Sequence, residues 1–143
     1  ECSAYITVDR LGAPRAAGGI CTTTRDLARI GQLLVDKGRR GDVQIISEGW
    51  IDDLSEGGDA SAWENGDFVD HFPGWPIRYR SKWYTLDGDS PILFGLGIHG
   101  QYLFIDRANK IVIAKHSSRE MPLDQVDQNQ TILMAIAVRD YLC

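Results

Sequence analysis

Cysteines and long apolar runs are scarce in this sequence of 143 residues. It holds three cysteines, namely Cys2, Cys21 and Cys143. An odd number of cysteines without metal-type spacing predicts neither a disulfide framework nor a zinc site. No apolar run is long enough to cross a membrane as a helix. We therefore expect no membrane span and no cysteine-based metal site.

Basic residues are few and scattered. The sequence has 15 Lys and Arg against 20 Asp and Glu, which gives a net charge of −5 at pH 7. The only local basic cluster is Lys37, Arg39 and Arg40. This balance argues against a nucleic-acid partner. Because 43% of the residues are hydrophobic and 24% are charged, we expect residues 1–143 to fold as a single globular segment.

The stretch 94–118 organises the predicted fold. Apolar runs at 101–105 and 111–114 flank a polar turn at 106–110, and this pattern predicts a β-hairpin. Both runs are apolar on both faces, so we expect central, covered strands. Gly95, Gly97 and Gly100 crowd the entrance to the first run. Backbone without Cβ lets another molecule approach closely, so we expect chemistry at this entrance.

The clearest helix is predicted near residues 25–37. Thr23, followed by Asp26, is the expected N-cap, and Gly38 is the expected terminator. Its apolar stripe consists of Leu27, Ile30, Leu33 and Leu34. Gly31 costs about 1 kcal/mol of helix propensity, so we expect a closely packed neighbour there.

The remaining elements complete an α+β pattern. We expect a short strand at 5–8, a helix at 48–55, an irregular loop at 57–76, a half-exposed strand at 76–86 and a closing helix at 127–142. The inward residues of the second helix are predicted to be Trp50, Ile51 and Leu54, and those of the last to be Ile132, Leu133, Ile136 and Tyr141. The predicted fold is an antiparallel sheet flanked by helices.

Residues 95–100, GLGIHG, match the letters G-x-G-x-x-G. The dinucleotide-binding motif needs a helix after it, whereas a strand is predicted here, so this reading is disfavoured. A protein-kinase reading would use Ala114 and Lys115, but the chain has no His-Arg-Asp and no Asp-Phe-Gly sequence. The sequence therefore predicts neither a dinucleotide-binding site nor a kinase-type nucleotide site, and we expect no cofactor.

Histidines and serines give no complete catalytic motif. His71, His99 and His116 lie far apart in sequence, which argues against a metal site. His99 differs, because it lies inside the glycine cluster and is a candidate pocket residue. No serine has Lys at the third following position, and no Gly-x-Ser-x-Gly elbow surrounds Ser117 or Ser118. Asn129-Gln130-Thr131 is interpreted as a polar helix start rather than a glycosylation site.

Three segments together resemble one family. Residues 16–31, AAGGICTTTRDLARIG, resemble the Gly-Gly, Ser/Thr and Asp-Leu-Ala-Arg segment of the serine β-lactamase-related hydrolases. Residues 46–50, ISEGW, resemble the start of that family's next helix. Residues 95–118 look closest to the branch of 6-aminohexanoate-dimer hydrolases. The resemblance covers nearly all of the chain except residues 57–75.

The resemblance implies the C-terminal part of the serine β-lactamase/transpeptidase-like fold, with the hairpin as the third and fourth strands. The family's Lys-Thr-Gly triplet falls on Gly95, Leu96 and Gly97, and glycine in place of lysine argues against recognition of β-lactam carboxylates. The next residue, Ile98, would donate its backbone N–H to an oxyanion hole. The site residues expected are Ile98 as the catalytic residue and Gly95, Gly97, His99, Gln101 and Tyr84 as substrate-binding residues.

The family's nucleophilic Ser, its Lys and its Tyr have no counterpart in this chain. We therefore expect the C-terminal portion of a serine hydrolase that cleaves amide or ester bonds through an acyl-enzyme, and that is inactive alone. Its partners would be a small amide or ester substrate and the upstream half of the same polypeptide. An exposed apolar face would also permit a homodimer. Any signal peptide would lie upstream of Glu1, so the expected compartment is either the cytoplasm or the periplasm.

A non-catalytic interaction domain is the alternative. Its contact surface would be the aromatic residues of the long loop, namely Trp63, Phe68, Phe72 and Trp75.

Overall fold

The structure is a computed structural model that describes residues 4–16 and 18–143. Its helices are α1 (Thr24–Val35), α2 (Glu48–Glu56), α3 (Ala60–Glu64) and α4 (Gln125–Leu142). Its strands are β1 (Tyr5–Ile6), β2 (Ile20–Cys21), β3 (Arg39–Arg40), β4 (Val43–Gln44), β5 (Ile77–Arg80), β6 (Trp83–Leu86), β7 (Ile92–Gly97), β8 (Gln101–Asp106) and β9 (Ile111–Lys115). Short 3₁₀ helices occupy Val69–His71 and Ile98–Gly100. Cys2 and Ala17, which the sequence arguments used, lie outside the described residues.

A five-stranded antiparallel sheet in the order β5-β6-β7-β8-β9 forms the centre. The predicted hairpin is confirmed as β8 and β9, with Leu103 opposite Ala114. Two details of that prediction are wrong. The hairpin supplies the fourth and fifth strands of this sheet, and β9 is only partly buried because it lies at the edge of the described sheet.

The glycine cluster lies elsewhere than expected. Gly95 and Gly97 are inside β7 and pair with Leu103 and Gln101, so they do not mark the entrance to β8. Glycines weaken the residue pattern by which strands are recognised, and β7 was therefore missed as a separate strand.

The stretch 76–86 is a hairpin, β5 and β6, instead of one strand. Its two turn residues, Ser81 and Lys82, have φ angles of 50° and 70°. Such two-residue turns usually carry Asn or Gly, so the pair Ser-Lys gave no turn signal. The predicted single strand is wrong for this reason. Residues 87–91 connect β6 to β7.

Helices cover both faces of the sheet, which confirms the α+β prediction. On one face α1 and α2 pack on the sheet, and the buried residues are Leu34, Ile51, Leu54, Leu93, Leu103 and Ile105. On the other face α4 packs together with the segment before β5, and this core contains Phe72, Phe94, Phe104, Ile132 and Ala135. Successive residues of β8 alternate between the two cores, as a strand between two helical layers requires.

The predicted start of α1 is confirmed, since Thr23 Oγ1 accepts the Asp26 N–H at 3.1 Å. Its end comes two residues earlier than expected, because Asp36 is the C-cap and Lys37 already adopts a left-handed φ of 57°. Gly38 follows at φ 77°, with its N–H bonded to the Leu33 carbonyl. Gly31 has the expected close neighbour, since a Cβ there would lie 2.4 Å from Val112 Cγ1. The predicted stripe is displaced, because Ile30 is 41% exposed while Gly31 and Leu34 face the sheet.

Other inward assignments need correction. Trp50 on α2 is exposed, as are Leu133 and Tyr141 on α4. The buried face of α4 instead combines apolar with polar residues, namely Asp127, Gln128, Thr131, Ile132 and Ala135. Two of the polar members have partners, since Gln128 Nε2 donates to the carbonyl of His71 and Asp127 forms an ion pair with Arg119.

The stretch 57–76 is less irregular than expected. It holds α3, whose N-cap Asp59 accepts the N–H groups of Ser61 and Ala62, and the first 3₁₀ helix. The N-terminal strand is confirmed in part, since Tyr5–Ile6 pairs with Ile20–Cys21 and Val8 only bridges Pro14.

The close approach of α1 to β9 gives a stability prediction. Gly31→Ala should lower the free energy of unfolding by about 1–2 kcal/mol, since overpacking against Val112 outweighs the gain in helix propensity. Urea unfolding measures the change. Gly49→Ala in α2, where a Cβ would meet nothing within 4 Å, is the matched control and should not destabilise. In a Val112→Ala background, Gly31→Ala should lower the free energy of unfolding by less than it does in the unchanged chain. Equal losses in the two backgrounds would contradict the contact.

Candidate active site

The site is built around the turn that connects β7 to β8, the Ile98–Gly100 turn. Gly97 ends β7 with φ −116° and ψ 154°, and Gln101 begins β8. Ile98 is 59% exposed at the tip. His99 and Gly100 both have positive φ angles, 59° and 80°. Two successive left-handed residues turn the chain sharply and leave Ile98 accessible from outside.

The glycines differ in what surrounds them. A Cβ on Gly95 would lie 3.6 Å from the Trp83 ring, an ordinary contact. A Cβ on Gly97 would lie 3.0 Å from Gln101 Cβ, which is tight. Gly100 is the most constrained, because its φ is positive and a Cβ would meet Arg119 Cδ at 3.1 Å. The absence of side chains thus serves packing within the chain at Gly97 and Gly100.

His99 and Gln101 hold the turn to the chain after β9. The His99 N–H donates to the Pro122 carbonyl at 2.9 Å, and His99 Nδ1 lies 2.8 Å from the Arg119 carbonyl oxygen. Gln101 Oε1 accepts the Ser117 N–H at 3.2 Å, while its Nε2 donates to the Ser117 carbonyl. Both predicted residues therefore lie at the turn.

Two charged residues that the sequence analysis missed also reach the turn. Lys115 Nζ donates to the Gly100 carbonyl at 3.0 Å and lies 5.4 Å from the centre of the Tyr102 ring. Burial, and then the charge of Arg119, lower the pKa of Lys115. Arg119 forms an ion pair with Asp127 in the first turn of α4. No sequence spacing signals these contacts, because they join segments that meet only in the folded chain.

Tyr84 lies away from these residues. It pairs with Phe94 and stacks on that ring at 5.2 Å, on the opposite face of the sheet from Gly95 and Gly97. Burial, and then Tyr79, raise the pKa of Tyr84. The structure thus brings together Gly97, Ile98, His99 and Gln101 and leaves Tyr84 in the aromatic core. Its role in a pocket wall stays a prediction.

The other histidines do not join the site. His116 is exposed, with Nδ1 3.5 Å from Thr24 Oγ1, and His71 lies in the 3₁₀ helix before β5. Within residues 4–16 and 18–143, no group of three or more His, Cys, Asp or Glu side chains could hold a metal ion. In the same part of the chain, no helix has the length and apolar character needed to cross a membrane.

The aromatic residues of the long loop mostly join the core. Phe72 is 2% exposed, and Trp63 and Trp75 pack against the same cluster. Trp75 Nε1 also donates to Asn129 Oδ1 at 2.9 Å, so the sequon asparagine is used inside the fold. Only Phe68 among the four is exposed, so the prediction that this loop presents an aromatic contact surface is wrong.

Fold and turn together define the class of protein. The antiparallel sheet with helices on both faces is consistent with the β-lactamase-like fold of hydrolases. A search of protein-family models found no match. A solved structure of a candidate 6-aminohexanoate-dimer hydrolase from Bacillus anthracis superimposes with a TM-score of 0.75 and 28% identity, over 97% of this chain and 34% of that one.

Sequence comparison leads to the same family. The chain is 36% identical over 115 residues to 6-aminohexanoate-dimer hydrolase from Paenarthrobacter ureafaciens, which is 80% of this chain and 29% of the relative. The chain therefore corresponds to a C-terminal part of the 6-aminohexanoate-dimer hydrolase family. It spans less than a third of the length of this curated relative.

Tyr102, beside the turn, gives a prediction about alkaline stability. Burial raises its pKa to about 12 from an ordinary value of 10.0. Its contribution to stability is therefore complete below pH 10 and is lost as the pH rises towards 12. In Tyr102→Phe, unfolding midpoints in urea should fall less steeply between pH 10 and pH 12. The exposed Tyr141→Phe is the control, and identical profiles for Tyr102→Phe and the unchanged chain would contradict the prediction.

Proposed function

We propose that this chain supplies one wall of the active site of a serine hydrolase that cleaves amide or ester bonds through an acyl-enzyme. The observation that carries the proposal is the exposed Ile98 directly after β7, in a chain 36% identical to a 6-aminohexanoate-dimer hydrolase. In this proposal the Ile98 N–H stabilises the oxyanion that forms when a serine attacks the substrate carbonyl. The serine itself, with its lysine and tyrosine, would come from the upstream half of the polypeptide.

The roles of the neighbouring residues follow from their placement. A substrate chain would lie against the backbone of Gly95 and the nearby Trp83 ring, while Gly97, whose missing side chain leaves room for Gln101, would contribute backbone only. His99 and Gln101 use their polar atoms to bind the chain itself, so their part is to support the pocket. Tyr84 would contribute only from the opposite face.

The relatives' name suggests the substrate class. A 6-aminohexanoate dimer is a linear amide, and we propose that the substrate here is likewise a short, unbranched amide or a corresponding ester. Glycine at position 95, where the resemblance places a lysine, removes a cation that would select a substrate carboxylate. This supports linear amides and esters over β-lactams.

A comparison of two polypeptides tests the need for the upstream half. The 143-residue chain, its intact mass verified, should neither turn over a chromogenic short-chain ester nor react with a serine-directed phosphonate. A longer polypeptide that includes the upstream part should do both, because the covalent step needs its serine. Ester turnover with phosphonate labelling by the 143-residue chain would place a nucleophile within it and overturn the proposal.

Ile98→Pro tests the oxyanion donor in the longer polypeptide. Proline removes the N–H, and Gly97 already has the extended dihedrals that a residue before proline prefers. Loss of one oxyanion donor should lower kcat by roughly 10²- to 10³-fold. Ile98→Ala keeps the N–H and trims the same exposed side chain, so it should stay close to the unchanged enzyme. Equal kcat values for the two variants would exclude the Ile98 N–H from catalysis.

A further inference from the structure

The Ile98–Gly100 turn needs support from outside itself. A left-handed conformation is unfavourable for a residue with a Cβ, because the Cβ crowds the following carbonyl oxygen, and His99 adopts it at φ 59°. Gly100 follows at φ 80° without that cost. A turn that contains such a residue is kept in one geometry only when surrounding contacts hold it there.

The support comes from one segment, residues 115–122. Three contacts link it to the turn: Lys115 Nζ donates to the Gly100 carbonyl, the Pro122 carbonyl accepts the His99 N–H, and the Arg119 carbonyl lies 2.8 Å from His99 Nδ1. Because a carbonyl can only accept, His99 Nδ1 carries the proton in this bond. The backbone and the ring of His99 are therefore both bound by the same segment.

The 115–122 segment is fixed in turn at two places. The side-chain amide of Gln101 pairs with both backbone groups of Ser117, as a neighbouring strand would. Arg119 forms its ion pair with Asp127, whose side chain is only 7% exposed. Arg119 also packs against the turn, since its Cδ would lie 3.1 Å from a Cβ on Gly100.

We infer that Arg119, anchored on Asp127, is a positioning residue that sets the geometry of the Ile98–Gly100 turn through the 115–122 segment. The ion pair ties the segment to the first turn of α4, and α4 is packed on the sheet through Ile132 and Ala135. Contacts to the rigid core then help to fix the position of the Ile98 N–H, which does not depend on the exposed turn alone. The catalytic part of this inference rests on the function proposed above.

Hydrogen exchange at the His99 amide tests the structural part in the 143-residue chain. The variant is Arg119→Met with Asp127→Asn, because removing the arginine alone would leave a buried carboxylate unpaired. Exchange of the His99 amide should accelerate at least tenfold relative to the amides of β8, since its bond to Pro122 depends on the segment. An unchanged ratio would overturn the inference.

Arg107→Met is the matched control. Arg107 follows β8 at the end opposite Gln101, and its ion pair with Asp52 at 2.8 Å is also partly buried. This variant should leave the exchange rate of the His99 amide, relative to the amides of β8, unchanged. If the double variant does not fold, Arg119→Lys takes its place, and it should give an acceleration smaller than tenfold but above that of the control. No acceleration in Arg119→Lys would count against the inference.

Kinetics of the same variants in the longer polypeptide test the catalytic part. Loosening the turn should lower kcat about 10- to 100-fold with KM within twofold, and Arg107→Met should change neither. Faster His99 exchange with an unchanged kcat would overturn the positioning role in catalysis. If the unchanged longer polypeptide hydrolyses no amide or ester, the proposed function fails, whereas the exchange experiment still decides whether Arg119 positions the turn.

Discussion

Burial of β8 between two helical layers is the constraint on which the other features depend. Leu103 and Ile105 point to the α1 and α2 side, while Tyr102 and Phe104 point to the α4 side. Covering both faces of one strand fixes its register, because a shift by one residue would exchange the two cores. The turn at the start of β8 and Arg107 after its last residue are then held at opposite ends of this strand.

The close approach of α1 follows from the same constraint. Without a side chain at Gly31, the helix lies directly against Val112 and Leu103, and the edge strand β9 is covered on that face. On the other face α4 carries a mixed apolar and polar surface, and its first turn supplies Asp127 to Arg119. One helix thus contributes both to the core and to the support of the candidate site.

The sequence predicted which residues form the turn of the candidate site, but it did not predict the side chains that contact this turn. The glycine cluster led to His99, and the family resemblance led to Ile98 and Gln101; the three residues do lie together at one turn. Lys115 and Arg119 were missed, since their partners are 15 residues away in Gly100 and on a separate helix in Asp127. Tyr84 was also expected in the site, but strand alternation puts it on the other face of the sheet.

The sequence by itself determined the α+β class, the hairpin of β8 and β9, the start of α1 and the resemblance to one family of hydrolases. These features depend on local spacing, capping residues and short-range alternation, which the order of residues encodes directly. Only the tertiary structure decided that β5 and β6 are separate strands, that α4 buries Thr131 and exposes Leu133, and that the segment after β9 supports the Ile98–Gly100 turn. Each of these depends on long-range packing, whose partners no local pattern can specify.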